Sequence, residues 1–406
     1  MATLTRLLGD LEAGEDAVQD ACTLALTQWP AAGVPANPRA WLIGVARHKA
    51  VDRIRRDRRR AVKEAELIRE MGPADDSGEW DAVSVGGPGN ARDAALADDQ
   101  LGLIFACCHP ALDPAVRVPL TLRSVCGLGT AEIAAAFLVP KATMAQRLVR
   151  AKRKMRQAGI SLRPPGPAGL AERLGTVLRV VYLVFTQGHR AASGADLIRA
   201  DLCDQALGLA RGLAALLPDE PEVTGLLALL LLTDARRGAR TGSDGTLVVL
   251  PDQDRSQWDQ AAIADGERLL LTALRARRPG PYQLHAAIAA CHSCAPSAAD
   301  TDWQQIAALY GQLLRYEPTP VTQAHRAVAV AMAEGPAAGL ALLDDAGTDP
   351  RLARWPQLHI ARAELLRRLG RVTEARDAYA AALRLPLPAA EYAFLAARAG
   401  ELTGPG

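Results

Sequence analysis

Apolar positions recur along the chain at helical rather than alternating spacing. Over residues 10–29, Val18, Cys22, Ala25 and Trp29 fall on one side at three- and four-residue steps, while Asp16, Gln19, Asp20 and Thr23 share a polar stripe. Pro30, Gly33, Pro35 and Pro38 then mark a turn-rich connection. A second helix is predicted from about Pro38 to Ile68, with Leu42, Ala46, Ala50 and Ile54 four residues apart. Residues 72–93 are rich in Gly and acidic residues and read as a flexible tether. Helices resume near Ala94. Within 128–156, Thr130 is the expected N-cap, Glu132 lies in the first turn, and Ile133 and Phe137 point inward. Leu138, Val139 and Pro140 make a short turn. The next helix carries Met144, Leu148, Ala151 and Met155 on one side and Thr143, Gln146, Arg147, Arg150 and Lys154 on the other.

Residues 161–170 are a second breaker-rich linker. Beyond it, 171–234 are Leu- and Ala-rich packed helices, and 238–256 interrupt them with turn residues around a short β-like run. The pattern is helical again to the end. There, 357–388 place Gly370, Glu374, Ala375, Tyr379, Ala382 and Leu383 as in a tetratricopeptide helix pair. Tyr310, Leu313, Leu314 and Pro318 resemble the close of an earlier unit, and Ala327, Gly335, Gly339 and Leu342 a degenerate middle one. Stacking gives each such unit burial it cannot reach alone. The expected fold is all-α. Its domains are 1–71, a tether at 72–93, a helix-turn-helix domain at 94–160, a linker at 161–170, a helical extension at 171–280 and repeats at 281–406.

The 406 residues are 49% hydrophobic and 23% charged, which is globular rather than disordered. Aromatics are only 4%, which favours helix over sheet. Apolar runs such as Leu226–Leu232 fall far short of the roughly 20 residues of a membrane helix. The N-terminus lacks the basic-then-apolar order of a secretory signal. Seven scattered cysteines form no disulfide framework, so a cytoplasmic location is expected.

The net charge of +2 conceals strong local bias. Residues 7–38 have no Lys or Arg but carry Asp10, Glu12, Glu15, Asp16 and Asp20. Residues 39–60 hold nine basic residues against Asp52 and Asp57, and 141–156 hold seven and no acid. Two dense basic segments in a near-neutral chain fit two contacts with one polyanion. Solvated helix faces are the plainer alternative. On the later helix, Arg and Gln can pair with guanine and adenine edges in a major groove, while Lys152, Arg153 and Arg156 meet phosphates. On the earlier one, Trp41 and His48 among arginines suit unpaired bases, although a core tryptophan is equally ordinary.

Other constellations carry less. Cys291, His292 and Cys294, with His285 nearby, fall short of a closed four-ligand zinc site. Cys107 and Cys108 read as buried small hydrophobes. His189 and Gln187 follow Phe185 without a base, nucleophile or phosphate loop in matching order. No metal, cofactor or catalysis is expected.

The order DAVQDACTLAL, NPRAWLIGVARHKAVDRIRR, then the helix-turn-helix resembles the extracytoplasmic-function sigma factors of bacterial RNA polymerase. LIFACCHPAL, TMAQRLVRAKRKMR, YLVFTQGH and the Leu-rich segment after them are similar to a subgroup with a long C-terminal extension ending in tetratricopeptide-like repeats. The resemblance spans nearly the whole chain and implies the following roles. Asp16, Gln19 and Asp20 contact core polymerase. Asn37, Arg39, Trp41, Arg47, His48, Asp52, Arg53, Arg55 and Arg56 open and hold the −10 element, where a flipped base is captured. Lys141, Thr143, Gln146, Arg147, Arg150, Lys152, Arg153 and Lys154 read the −35 element. The extension is expected to be regulatory, with a protein or the chain's own front half as its partner, and no membrane. The family places a further helix before the acidic one, where this chain has only Met1–Leu8. That implies either an upstream start or a trimmed first domain with less apolar burial behind Val18, Cys22 and Trp29. Two other functions fit the residues: a helix-turn-helix regulator binding duplex DNA directly, and a repeat-based interaction scaffold.

Overall fold

The computed structural model describes residues 2–8, 10–38, 40–52, 55, 100–160, 165–191 and 197–402. The tether at 72–93 and Ile54 lie outside them. Every regular element among the described residues is helical, apart from one isolated antiparallel bridge, Thr241–Leu247. The fold is all-α, and the β-like run predicted within 238–256 reduces to that bridge and short 3₁₀ turns. The chain divides into two compact units, one of residues 1–128 and 145–177, the other of 129–144 and 178–406.

In the first unit, α1 (Ala2–Leu8) packs on α2 (Leu11–Ala32). Asp10 caps α2 by accepting the Glu12 N–H at 2.9 Å. The chain leaves α2 at Gly33, whose φ of +82° suits a residue without Cβ. The buried side of α2 is Leu11, Gly14, Ala17, Ala21 and Ala25. The sequence expectation holds for Ala25 and in part for Val18, which packs half-buried on this core, and is corrected at Cys22, which is exposed, and at Trp29, which is only half-buried. Small residues win because α1 lies so close: a Cβ at Gly14 would meet the buried Thr5 hydroxyl at 2.5 Å. Leu4 of α1, Ala17 and Ala21 form one cluster with Ala46 and Ala50 of α3 (40–52). The short leading segment thus supplies burial to this core.

Further along, α4 (100–107) is buried on all sides, with Ile104, Phe105 and Cys107 fully enclosed. Arg117 of α5 (Pro114–Ser124) pins the loop between them, donating to the Leu112 and Pro110 carbonyls at 2.9 Å each. Helix α6 (Thr130–Ala136) precedes α7 (Lys141–Gln157). Its N-cap is Gly129, one residue before the expected Thr130. The Glu132 carboxylate reaches back to the Gly129 N–H at 2.5 Å, so the cap needs only a backbone donor at that position.

In the second unit, α10 (Pro221–Asp234) is apolar all round because it is central, packed by α9 (Ala200–Leu216), α11 (Gln260–Arg275) and α12 (Pro281–Ser293). Helix α8 (Pro167–His189) starts inside the segment read as linker, with proline tolerated in its first turn. From α13 (Trp303–Leu313) onward, each helix packs on the next: α14 (Pro320–Ala333), α15 (Pro336–Ala346), α16 (Pro356–Arg368), α17 (Val372–Leu383) and α18 (Ala389–Glu401). Gly339 lets α15 close on α14, since a Cβ there would lie 2.2 Å from that of Ala331. Ala375, Tyr379 and Ala382 are buried, whereas Glu374 is half-buried and pairs with Arg371 at 2.6 Å.

Candidate nucleic-acid interface

Helix α7 divides cleanly. Met144, Leu148, Ala151 and Met155 are buried, and Lys141, Gln146, Arg150, Arg153 and Lys154 are exposed. Thr143, Arg147 and Lys152 are half-buried. Arg147, Arg150 and Lys154 line a recess of about 290 Å³ together with Asp113 and Val116 at the start of α5. The exposed face also holds Val149, 68% exposed, three residues after Gln146 and one before Arg150. Sequence reasoning passed over it. A valine among arginines on a solvent face was the available signal, because an apolar group there can meet a thymine methyl.

Two of the basic residues at the end of α7 are engaged within their own unit. Lys152 Nζ lies 2.5 Å from Glu15 Oε2, and Arg156 Nη2 lies 2.6 Å from Glu12 Oε2. Ser124 Oγ donates to the other Glu15 oxygen at 3.4 Å. The acidic side of α2 therefore meets two cations assigned from sequence to DNA phosphates.

On α2, Asp16, Gln19 and Asp20 are all exposed, and Asp20 lies 3.8 Å from Lys49 of α3. Leu26 continues that face and is 78% exposed, a second apolar residue that sequence reasoning missed. On α3, Asn37 is a cap, its Oδ1 accepting the Ala40 N–H at 2.9 Å. Trp41, His48, Asp52 and Arg55 fall within one narrow stripe at 100° per residue, opposite buried Ala46 and Ala50. Arg47 is exposed on a neighbouring face. His48 Nδ1 donates to the Gly44 carbonyl at 2.9 Å. Trp41 is half-buried and meets Trp29 edge-on at 5.4 Å, so both rings belong to this surface and neither is sealed in the core. Arg39, Arg53 and Arg56, assigned with them, lie outside the described residues.

Helix α6 and the turn into α7 belong to the second unit. Leu138 takes φ +53°, a left-handed conformation unusual for leucine, and packs against the cluster built by α14–α18. Arg199, just before α9, donates to Glu132 Oε1 at 3.0 Å.

Cys107, Cys108 and Cys126 behave as packing groups. Burial pushes the Cys108 and Cys126 thiols up to about 12 and Cys107 well above its ordinary value. His292 meets Trp303 edge-on at 5.1 Å. Among the described residues, no group of three His, Cys, Asp or Glu side chains could hold a metal ion. No described helix is long and apolar enough to cross a membrane.

Residues 1–60 match Sigma-70 region 2, and 103–155 match Sigma-70 region 4. Residues 173–274 match a family of unknown function, DUF6596. An uncharacterized protein of Rhizobium meliloti strain 1021, R00370, is 42% identical over 396 residues, covering 97% of this chain and 91% of that protein. No solved structure matches the chain.

Proposed function

Because the chain belongs to the sigma-70 family of sigma factors, a transcription-initiation family that pairs core RNA polymerase with promoter DNA, we propose that it is an extracytoplasmic-function member acting at −35 and −10 elements. The observation that carries this reading is the division of α7, whose buried apolar back leaves Gln146, Val149, Arg150 and Arg153 on an open front. A major groove accepts such a helix; Arg147 and Arg150 would read base edges, while Arg153 and Lys154 would hold phosphates. The Trp41–His48–Asp52–Arg55 stripe, with Trp29 beside it, would take the unpaired −10 strand by stacking and charge. Asp16, Gln19, Asp20 and exposed Leu26 would meet the polymerase. Purified core polymerase supplied with this chain should initiate at a cognate promoter in multi-round transcription. A duplex-binding regulator would act only with another sigma factor present, and a scaffold would not act at all.

The extension is regulatory in this reading. Its support is the grip on the helix-turn-helix, through Arg199 on Glu132 and the α14–α18 cluster on Leu138. The α16–α17 pair, turning at Gly370 with φ +71° and burying Ala375, Tyr379 and Ala382, would be a tetratricopeptide-like unit. Deleting residues 165–406 tests the regulatory role: promoter-dependent transcription should change, and unchanged output in cells and in vitro removes it.

A further inference from the structure

The connection from α10 to α11 holds two short 3₁₀ turns packed together, Arg237–Arg240 and Arg255–Gln257. They gather arginines beside the C-terminal ends of α8 and α12. Adjacent arginines there have opposite surroundings. Arg237 takes two carboxylates, Asp234 at 2.6 Å and Asp204 at 2.8 Å. Arg236 pairs with no carboxylate among the described residues, and its Nε is buried without a hydrogen-bond partner. Its charged neighbours are cations instead. Arg255 acts on it, and Arg236 and Arg190 both act on Arg240, so that burial followed by like charge holds Arg236 and Arg240 down to about 10. His189 and His292 are driven down by burial and then by the same arginines, His292 to about 4.

Among the described residues the negative groups are few: buried Glu391 holds Arg190 and acts on Arg240, and Asp300 acts on Arg255. Helix capping explains part of the cluster. Arg240 Nη1 donates to the His189 carbonyl, and Arg255 Nη1 donates to the His292 and Ala295 carbonyls at 2.9 and 2.8 Å. Those bonds leave Arg255 Nη2 buried and unpartnered, along with Arg236 Nε and the imidazole nitrogens His189 Nε2 and His292 Nδ1. Arg236, Arg240, Arg255, His189 and His292 are each half-buried as whole residues, although the unpartnered atoms themselves are enclosed.

Gathered cations that outnumber the carboxylates beside them are unfavourable until an anion arrives. A guanidinium fork matches an oxyanion in a bidentate way. We infer that this cluster binds the oxyanion group of a small molecule carrying at least two negative charges, a phosphate or a polycarboxylate, with Arg236 and Arg240 as its principal donors and Arg255 beside them. All three fall in the segment matching the family of unknown function. No residue of the site is among those assigned to promoter DNA.

The test is thermal unfolding of the full chain with inorganic phosphate, pyrophosphate or citrate, at ionic strength fixed with sodium chloride. The wild type should gain Tm with a saturating dose response to at least one probe. Phosphate and pyrophosphate against citrate distinguish the two sources of charge. Arg236→Met should unfold at a higher temperature than wild type without anion, since it relieves repulsion, and should lose the anion response. A merely structural arginine would give the opposite shift. Should that variant fail to fold, Arg240→Lys, which keeps charge without the fork, should weaken binding about tenfold. Arg268→Gln on the exposed face of α11 should respond as wild type. No saturable response in the wild type, or an undiminished one in Arg236→Met or Arg240→Lys, overturns the site.

Discussion

Arg199 Nη1 donates to Glu132 Oε1 at 3.0 Å, tying the start of α9 to the first turn of α6. The other Glu132 oxygen closes that turn on the Gly129 N–H. Both partners are about one-third exposed, 35% and 34%, so the pair contributes at most about 1 kcal/mol to folding. Arg199→Ala should therefore shift urea stability only slightly, yet change promoter-dependent transcription by more than the roughly fivefold that 1 kcal/mol explains. Equal, small effects on both would leave the contact structural.

Glu15 and Lys152 give a second expectation. Glu15→Gln frees the Lys152 ammonium, now 2.5 Å from the carboxylate. The purified variant should bind duplex DNA more tightly, with a log–log salt slope steeper by about 0.9 for one added phosphate contact. An unchanged slope would mean that Lys152 does not reach DNA.

Arg147→Ala and Arg150→Ala should each cost about 1–3 kcal/mol on the upstream element and blur selectivity at the bases they meet. Arg153→Ala should weaken binding to every duplex alike. Val149→Ala should lose affinity only where a thymine methyl faces it. Competition binding against single-base variants of the element separates these outcomes.

Acid should destabilise the extension early. His292 is held at about 4, first by burial and then by Arg236 and Arg255, whereas an unfolded histidine titrates near about 6.5. Between those values the unfolded chain binds the extra proton, so stability is full above about 6.5 and falls as pH drops toward 4. His189, shifted the same way, adds to the slope. Unfolding midpoints from pH 7 to 4 should begin to decline near 6.5, and His292→Leu should flatten that decline. A midpoint constant down to pH 5 would contradict it.

Native alkylation should label Cys22 first. It is exposed on α2, whereas Cys107, Cys108 and Cys126 are buried with thiols pushed up by that burial. Mass spectrometry after brief iodoacetamide treatment at pH 7.5 reads the order. Early labelling of Cys108 would mean that the α4–α5 core opens.

The all-α class and the sides of α7 were legible because large apolar residues recur there at helical spacing against charge. The face of α2 was not. Its core is Gly14, Ala17, Ala21 and Ala25, and small side chains carry little hydropathy; the close approach of α1 selects them. Thr130 looked like the cap because threonine is a good one, but Glu132 satisfies the backbone at Gly129 instead. Trp29 and Trp41 could not be paired from spacing alone, since their contact depends on how α2 meets α3. Ion pairs across 137 and 67 residues, Glu15–Lys152 and Glu132–Arg199, leave no local pattern to read. The arginines at 236, 240 and 255 form no motif along the chain; the packed 3₁₀ turns bring them together.

The central claim is tested most directly by multi-round transcription with purified core polymerase, this chain and a cognate promoter, beside the same reaction lacking the chain. Promoter-specific transcript that requires the chain, and that falls with Arg150→Ala, is the predicted result. Transcript that appears only when a second sigma factor is added, or none at all from a chain that binds the promoter, would contradict it.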